Sequence, residues 1–87
     1  MNYPVNWNDA LNIAESLKRE VSKKFDVYNV SPSNWWNQYY TFGFRMCRYT
    51  NKAKFTDYIE SLYGLEFIEV EYNHITMFDE YVFRLKP

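Results

Sequence analysis

Apolar residues near the start of the chain recur every three or four positions, which is the spacing of one face of an α-helix. The series consists of Trp7, Ala10, Leu11, Ala14, Leu17, Val21 and Phe25. Asn6 stands before it as a capping residue, and Lys23 and Lys24 lie in its last turn, where positive charge suits the helix dipole. The pattern predicts a first helix that buries this stripe.

Alternating apolar and polar residues after this helix indicate β-structure. They predict a short strand over 26–31, a turn over 31–34 and a long, aromatic-rich strand over 35–49. In the long strand the even positions are the more apolar set, so we expect them to face the core. These positions are Trp36, Gln38, Tyr40, Phe42, Phe44, Met46 and Arg48. Gly43 indicates a bulge or the close approach of a neighbouring group.

A second helix is predicted over 51–63, where apolar residues again follow helical spacing. These residues are Phe55, Tyr58, Ile59 and Leu62. Thr50 or Asn51 is the expected cap. Gly64 is the expected stop, because glycine readily adopts the left-handed conformation that ends helices.

Two further strands are predicted over 65–72 and 75–86, joined by a tight turn at Asn73 and His74. Alternation places one set of side chains toward the core: Ile68, Val70, Tyr72, Tyr81, Phe83 and Leu85. It places another set on the opposite face: Phe67, Glu69 and Glu71.

The order of these elements is α-β-β-α-β-β, which favours a single α+β domain over residues 1–87. Two amphipathic helices and an amphipathic sheet bury their apolar faces against one another in two layers. We therefore expect a four-stranded, mainly antiparallel sheet with both helices on one face. The other face is then open to solvent or to a partner.

Aromatic residues are unusually abundant, at 22% of the chain. A domain of 87 residues cannot bury so many large rings, so some must lie at the surface, where Tyr and Trp are typical of interfaces. We expect the open sheet face to carry the partner-binding residues. They are Trp35, Tyr39, Arg45, Tyr49, Phe67, Glu69 and Glu71.

Charge is distributed unevenly although the formal net charge is only −1. Residues 18–54 hold most of the basic side chains, and residues 57–80 hold seven acids without a Lys or Arg. Opposite potentials of this kind steer partners rather than determine the fold. Cys47 is the only cysteine, and the first residues lack the pattern of a secretion signal, so we expect a cytoplasmic protein without a membrane span.

Residues for catalysis are scarce. His74 is the only histidine and lies in a predicted turn, and one cysteine with one distant histidine cannot supply a structural zinc site. With two glycines, the chain has no glycine-rich phosphate loop. Glu69 and Glu71 face the same way, but alternating acids on a strand usually protect a sheet edge. We expect no enzyme, no cofactor and no metal.

Binding is the remaining class of function. Rings on a sheet with a nearby arginine are typical of single-stranded nucleic-acid binding, but Glu69 and Glu71 on that face would repel phosphates. Rings beside acidic side chains suit a protein partner better, with a homodimer as one possibility. Short chains rich in Asn, Tyr, Phe, Lys and Ile are also common among bacteriophage proteins that block host enzymes. The sequence thus predicts a phage-type, anti-CRISPR-like inhibitor of a host nucleic-acid enzyme, acting in the host cytoplasm. The alternative is a small nucleic-acid-binding or regulatory domain.

Overall fold

Two helices and four strands follow one another in the predicted order, α-β-β-α-β-β. The computed structural model describes residues 6–35 and 39–85, with backbone alone for Asn34, Trp35, Tyr39 and Tyr63. The elements are α1 (Trp7–Val21), β1 (Val27–Trp35), β2 (Tyr39–Cys47), α2 (Lys52–Tyr63), β3 (Leu65–Tyr72) and β4 (Phe78–Leu85). All strand pairs are antiparallel, and the sheet order is β1-β2-β4-β3. None of the described helices has the length and apolar character needed to cross a membrane.

Both helices begin at the predicted caps. The Asn6 side chain accepts a hydrogen bond from the Asp9 backbone N–H at 2.9 Å, and Asn51 accepts one from Lys54 at 3.0 Å. Each cap satisfies a backbone donor that the first helical turn leaves unpaired. Gly64 ends α2 with φ of 65°, which confirms the predicted stop.

The core lies between the helices and one face of the sheet. Phe55 of α2 is fully buried at its centre, and its ring meets Phe44 at 5.5 Å and Phe83 at 5.9 Å in edge-to-face contacts. The predicted inward side of β2 is confirmed in this region by Phe42, Phe44 and Met46, and that of β4 by Tyr81, Phe83 and Leu85. Three residues of the predicted helical stripes are instead exposed: Trp7, Leu11 and Leu62.

The predicted turn over 31–34 is wrong, because β1 continues through it to Trp35. Val30 and Pro32 are buried while Ser31 is exposed, which is the alternation of a strand. Proline is tolerated here since β1 is an edge strand, where one side of the backbone has no partner. The predicted long strand starts with Tyr39 in the structure, and residues 36–38 lie outside the described part of the chain.

A β-bulge in β3 overturns the predicted orientation of its first half. The register passes from Phe67 opposite Phe83 to Glu69 opposite Val82, which leaves Ile68 unpaired and exposed. One extra residue reverses the alternation of everything before it. The predictions that Phe67 points outward and Ile68 inward are therefore wrong: Phe67 packs against the core, 5.5 Å from the Phe83 ring.

The connection between β3 and β4 spans residues 73–77, so the prediction of a tight turn at Asn73 and His74 is wrong. The Asn73 side chain accepts hydrogen bonds from the backbone N–H groups of Ile75 at 2.9 Å and Thr76 at 3.0 Å. This side chain organises a wider turn in the manner of an Asx turn. The positive φ falls on Met77 rather than on Asn73.

Candidate partner-binding site

The sheet face turned away from the helices is mainly polar. Its described side chains from β2 and β4 include Thr41, Arg45, Cys47, Glu80, Val82 and Arg84, and β3 adds Glu66, Glu69 and Glu71. Arg84 donates to Glu66 at 2.9 Å. Since neither of the two described helices covers this face, we call it the open face.

Gly43 lies in the middle of the open face, where the Glu80 side chain folds over it. A Cβ atom at Gly43 would lie 2.7 Å from a Glu80 carboxylate oxygen, so only glycine leaves room for this arrangement. The prediction of a close approach at Gly43 is confirmed. Glu80 also stands opposite Glu71 across the strand pair, and these two acids border a shallow depression of about 100 Å³ beside Gly43. Like charges placed opposite each other destabilise a sheet slightly.

Five of the seven residues predicted to bind a partner have described side chains, and these five do not all lie on the same face of the sheet. Glu69 and Glu71 are exposed on the open face, as is Arg45, whereas Phe67 belongs to the opposite face. Tyr49 is 91% exposed and lies just beyond the end of β2. The side chains of the remaining two, Trp35 and Tyr39, lie outside the described part of the structure.

Exposed apolar and aromatic residues gather instead at one end of the sheet. The register brings the end of β3 and the start of β4 beside the end of β2 and the start of β1. Five of the nine large hydrophobic residues that the described structure exposes lie there: Tyr28, Tyr49, Tyr72, Ile75 and Met77. We call this set the hairpin end. Exposed apolar residues scattered singly are ordinary, but a group of them marks an interaction surface.

Ring stacking extends the hairpin end onto the open face. A second bulge, between Val27 and Asn29, leaves Tyr28 unpaired with β2. The Tyr28 ring stacks on Phe78 of β4, with centroids 4.6 Å apart and planes tilted by 30°. The stack holds Tyr28 in place although the residue is 59% exposed, so it presents a preordered aromatic surface.

Met77 brings backbone strain to the hairpin end. Its φ is 65°, and among the described residues it is the one non-glycine with a positive φ. This conformation costs an ordinary side chain about 1–2 kcal/mol. Strain of this kind is concentrated at functional sites.

We expect Met77→Gly to raise the free energy of unfolding by about 0.5–1 kcal/mol, because glycine adopts positive φ without a steric penalty but loses more backbone entropy on folding. Urea unfolding of both proteins measures the change. Ile75→Gly is the matched control, since Ile75 lies in the same turn with its side chain 93% exposed and has no positive φ. A gain in the control equal to that of Met77→Gly would contradict this explanation.

Asp79 is the unusual polar group beneath the hairpin end. Its side chain lies on the core side of β4, is 3% exposed, and stands opposite Met46 and Tyr72. The carboxylate oxygen Oδ1 is buried and has no hydrogen-bond partner in the described structure. Buried carboxylates are normally paired, so this one is energetically costly.

The charge of Asp79 affects its neighbour Tyr81. Burial, reinforced by the Asp79 carboxylate and by Tyr72, raises the pKa of the Tyr81 hydroxyl above its ordinary value. The hydroxyl therefore stays protonated and neutral at physiological pH.

Sequence reasoning missed most of the hairpin end. Ile75 and Met77 were expected within a strand. Asp79 shares the alternation that places Tyr81, Phe83 and Leu85 inward, but it was not recognised as a buried carboxylate. The sequence indicates Ile75 and Met77 only as two apolar residues that closely follow Asn73, a residue type that favours turns. Within the described residues, no three His, Cys, Asp or Glu side chains are grouped so as to hold a metal ion. No family model, curated protein or solved structure matches this chain.

Proposed function

We propose that this chain is a non-catalytic protein-binding module whose partner contacts the hairpin end. The observation that carries the proposal is the gathering of exposed apolar and aromatic side chains where the sheet ends. Burying rigid rings and aliphatic groups of this kind supplies most of the energy of protein association. The adjoining open face, with its arginines and carboxylates, provides the polar rim that such interfaces have.

A protein partner fits this region better than a nucleic acid does. The Tyr28–Phe78 stack offers a ring surface, but Glu80 and Glu71 lie on the strands beside it. Carboxylates repel a phosphate backbone, whose neutralisation by Lys and Arg dominates nucleic-acid affinity. Arg45 is the exposed cation beside these acids. It stands opposite Glu80 on β4, which in turn stands opposite Glu71 on β3.

The narrower expectation, a phage-type inhibitor that blocks a host nucleic-acid enzyme, stays a prediction. Its physical content is that the carboxylates of the open face occupy positions where the target would otherwise hold phosphates. Glu69, Glu71 and Glu80 are the side chains that would make those contacts. Reversing Glu69 and Glu71 to Lys should then slow association and change its salt dependence.

The direct test compares two double variants in partner binding. Tyr72→Ser/Ile75→Ser removes two anchors of the hairpin end and should weaken binding by at least about 2 kcal/mol, the usual threshold for hot-spot residues. Leu62→Ser/Ile68→Ser is the matched control, because both residues are exposed hydrophobics outside the hairpin end. The measurement is titration against the protein that the wild-type domain retains from a cell extract.

Two outcomes would contradict the proposal. Equal weakening by both double variants would show that general surface hydrophobicity, rather than the hairpin end, retains the partner. A fluorescent single-stranded oligonucleotide could instead bind with a Kd well below about 10⁻⁴ M at physiological salt. If Arg45→Glu abolished that binding, the result would favour the nucleic-acid alternative.

A further inference from the structure

We propose that the partner inserts a cationic side chain, a lysine or arginine flanked by apolar residues, against the Asp79 carboxylate. The inference rests on the proposed function, because it specifies the chemistry of the segment that binds the hairpin end. It starts from a buried carboxylate oxygen that has no hydrogen-bond partner in the described structure.

None of the described residues pairs a compensating charge with Asp79. Arg48 and His74 follow the adjoining strand ends but are exposed, and neither forms an ion pair in the described structure. A carboxylate held in this way is unfavourable until a positive group reaches it.

The surroundings of Asp79 suit a long, basic side chain. Tyr72 stands directly opposite it across the strand pair and is 61% exposed, so an exposed ring of the hairpin end borders the buried carboxylate. Lysine and arginine pack an aliphatic stem along apolar groups and carry the charge at the tip. A cation beside an aromatic ring gains further attraction from the ring face.

Specificity follows from the same arrangement. A segment that is only apolar would cover the hairpin end and leave the carboxylate beneath it unpaired, so the cost present in the free domain would remain. A segment with an acidic residue would add repulsion. A basic residue among apolar ones is the pattern that satisfies both the rings and the carboxylate, so Asp79 selects the partner as well as strengthening the contact.

The experiment selects binders from a displayed library of random twelve-residue peptides on the intact domain. Enriched peptides are synthesised and titrated against the wild type, against Asp79→Asn and against Tyr72→Ser/Ile75→Ser. Each peptide is also made with its basic residue replaced by norleucine, which keeps the stem and removes the charge. The four combinations of peptide and Asp79 variant form a double-mutant cycle.

We expect enriched peptides to carry a Lys or Arg between apolar residues, and Asp79→Asn to weaken them at least tenfold. The norleucine peptides should lose no further affinity on Asp79→Asn. Enriched peptides without a basic residue, or no coupling in the cycle, would overturn the inference while leaving the proposed function intact. Peptides that bind Tyr72→Ser/Ile75→Ser unchanged, or no enrichment over an unrelated domain, would count against the proposed function, and the inference would fall with it.

Discussion

Phe55→Ala should come close to unfolding the domain, with a loss of about 3–5 kcal/mol in the free energy of unfolding. The Phe55 ring is fully buried and meets four other described rings at centroid distances of 5.1 to 5.9 Å: Phe25, Phe44, Tyr81 and Phe83. Truncation removes these contacts together and leaves a cavity that a sheet packed against two helices cannot close. A chain of this length has a total stability of only about 4–13 kcal/mol.

Urea unfolding followed by circular dichroism measures this loss. Leu62→Ala on the same helix is the control, since Leu62 is 57% exposed and its truncation should change stability by no more than about 0.5 kcal/mol. A loss below 1 kcal/mol for Phe55→Ala would mean that the core repacks around the missing ring. The two helices would then not be fixed to the sheet through this residue.

The helices and the core were predictable because their signals are local. Asn6, Asn51 and Gly64 act through neighbouring backbone groups, so their roles can be recognised from residue type and position. The inward side of β2 was predictable for a similar reason, because alternation over several residues leaves one register that buries the apolar set.

Alternation did not predict the two β-bulges, in β1 and β3. Nothing in the residue types around Ile68 or Tyr28 distinguishes a regular strand from one with an extra residue, because the bulge depends on which partner residues the neighbouring strand offers. One unpaired residue moved Phe67 from the expected binding face into the core. The turn predicted at Ser31 and Pro32 was wrong for another reason, because residues that form turns are also tolerated in an edge strand.

The candidate site could not be predicted from the sequence because the ends of four strands form it. Tyr28, Tyr49 and Tyr72 are far apart along the chain, and only the register brings them to one end of the sheet. Open-face aromatics were expected from composition, yet the described open face is mainly polar apart from the Tyr28–Phe78 stack at one end. Composition indicates that rings must be exposed, but it does not indicate where.

Asp79→Asn should raise the free energy of unfolding by about 1–3 kcal/mol, because burying an unpaired charge costs more than burying the neutral amide that replaces it. Asparagine has nearly the same shape and keeps a polar side chain, but it removes the charge. Most substitutions in a buried position destabilise a protein. A higher free energy of unfolding after substitution of a residue that is 3% exposed would therefore show that the native aspartate destabilises the free domain.

Urea unfolding at neutral pH measures the gain, with Glu69→Gln as control because that carboxylate is exposed and should change stability by no more than about 0.5 kcal/mol. Residues that reduce stability and are needed for binding are typical of functional sites, where stability and activity trade against each other. Loss of stability in Asp79→Asn would show that the carboxylate already has a favourable partner within the fold. Asp79 would then be a structural residue, and the cation proposed for the hairpin end would have no charge left to neutralise.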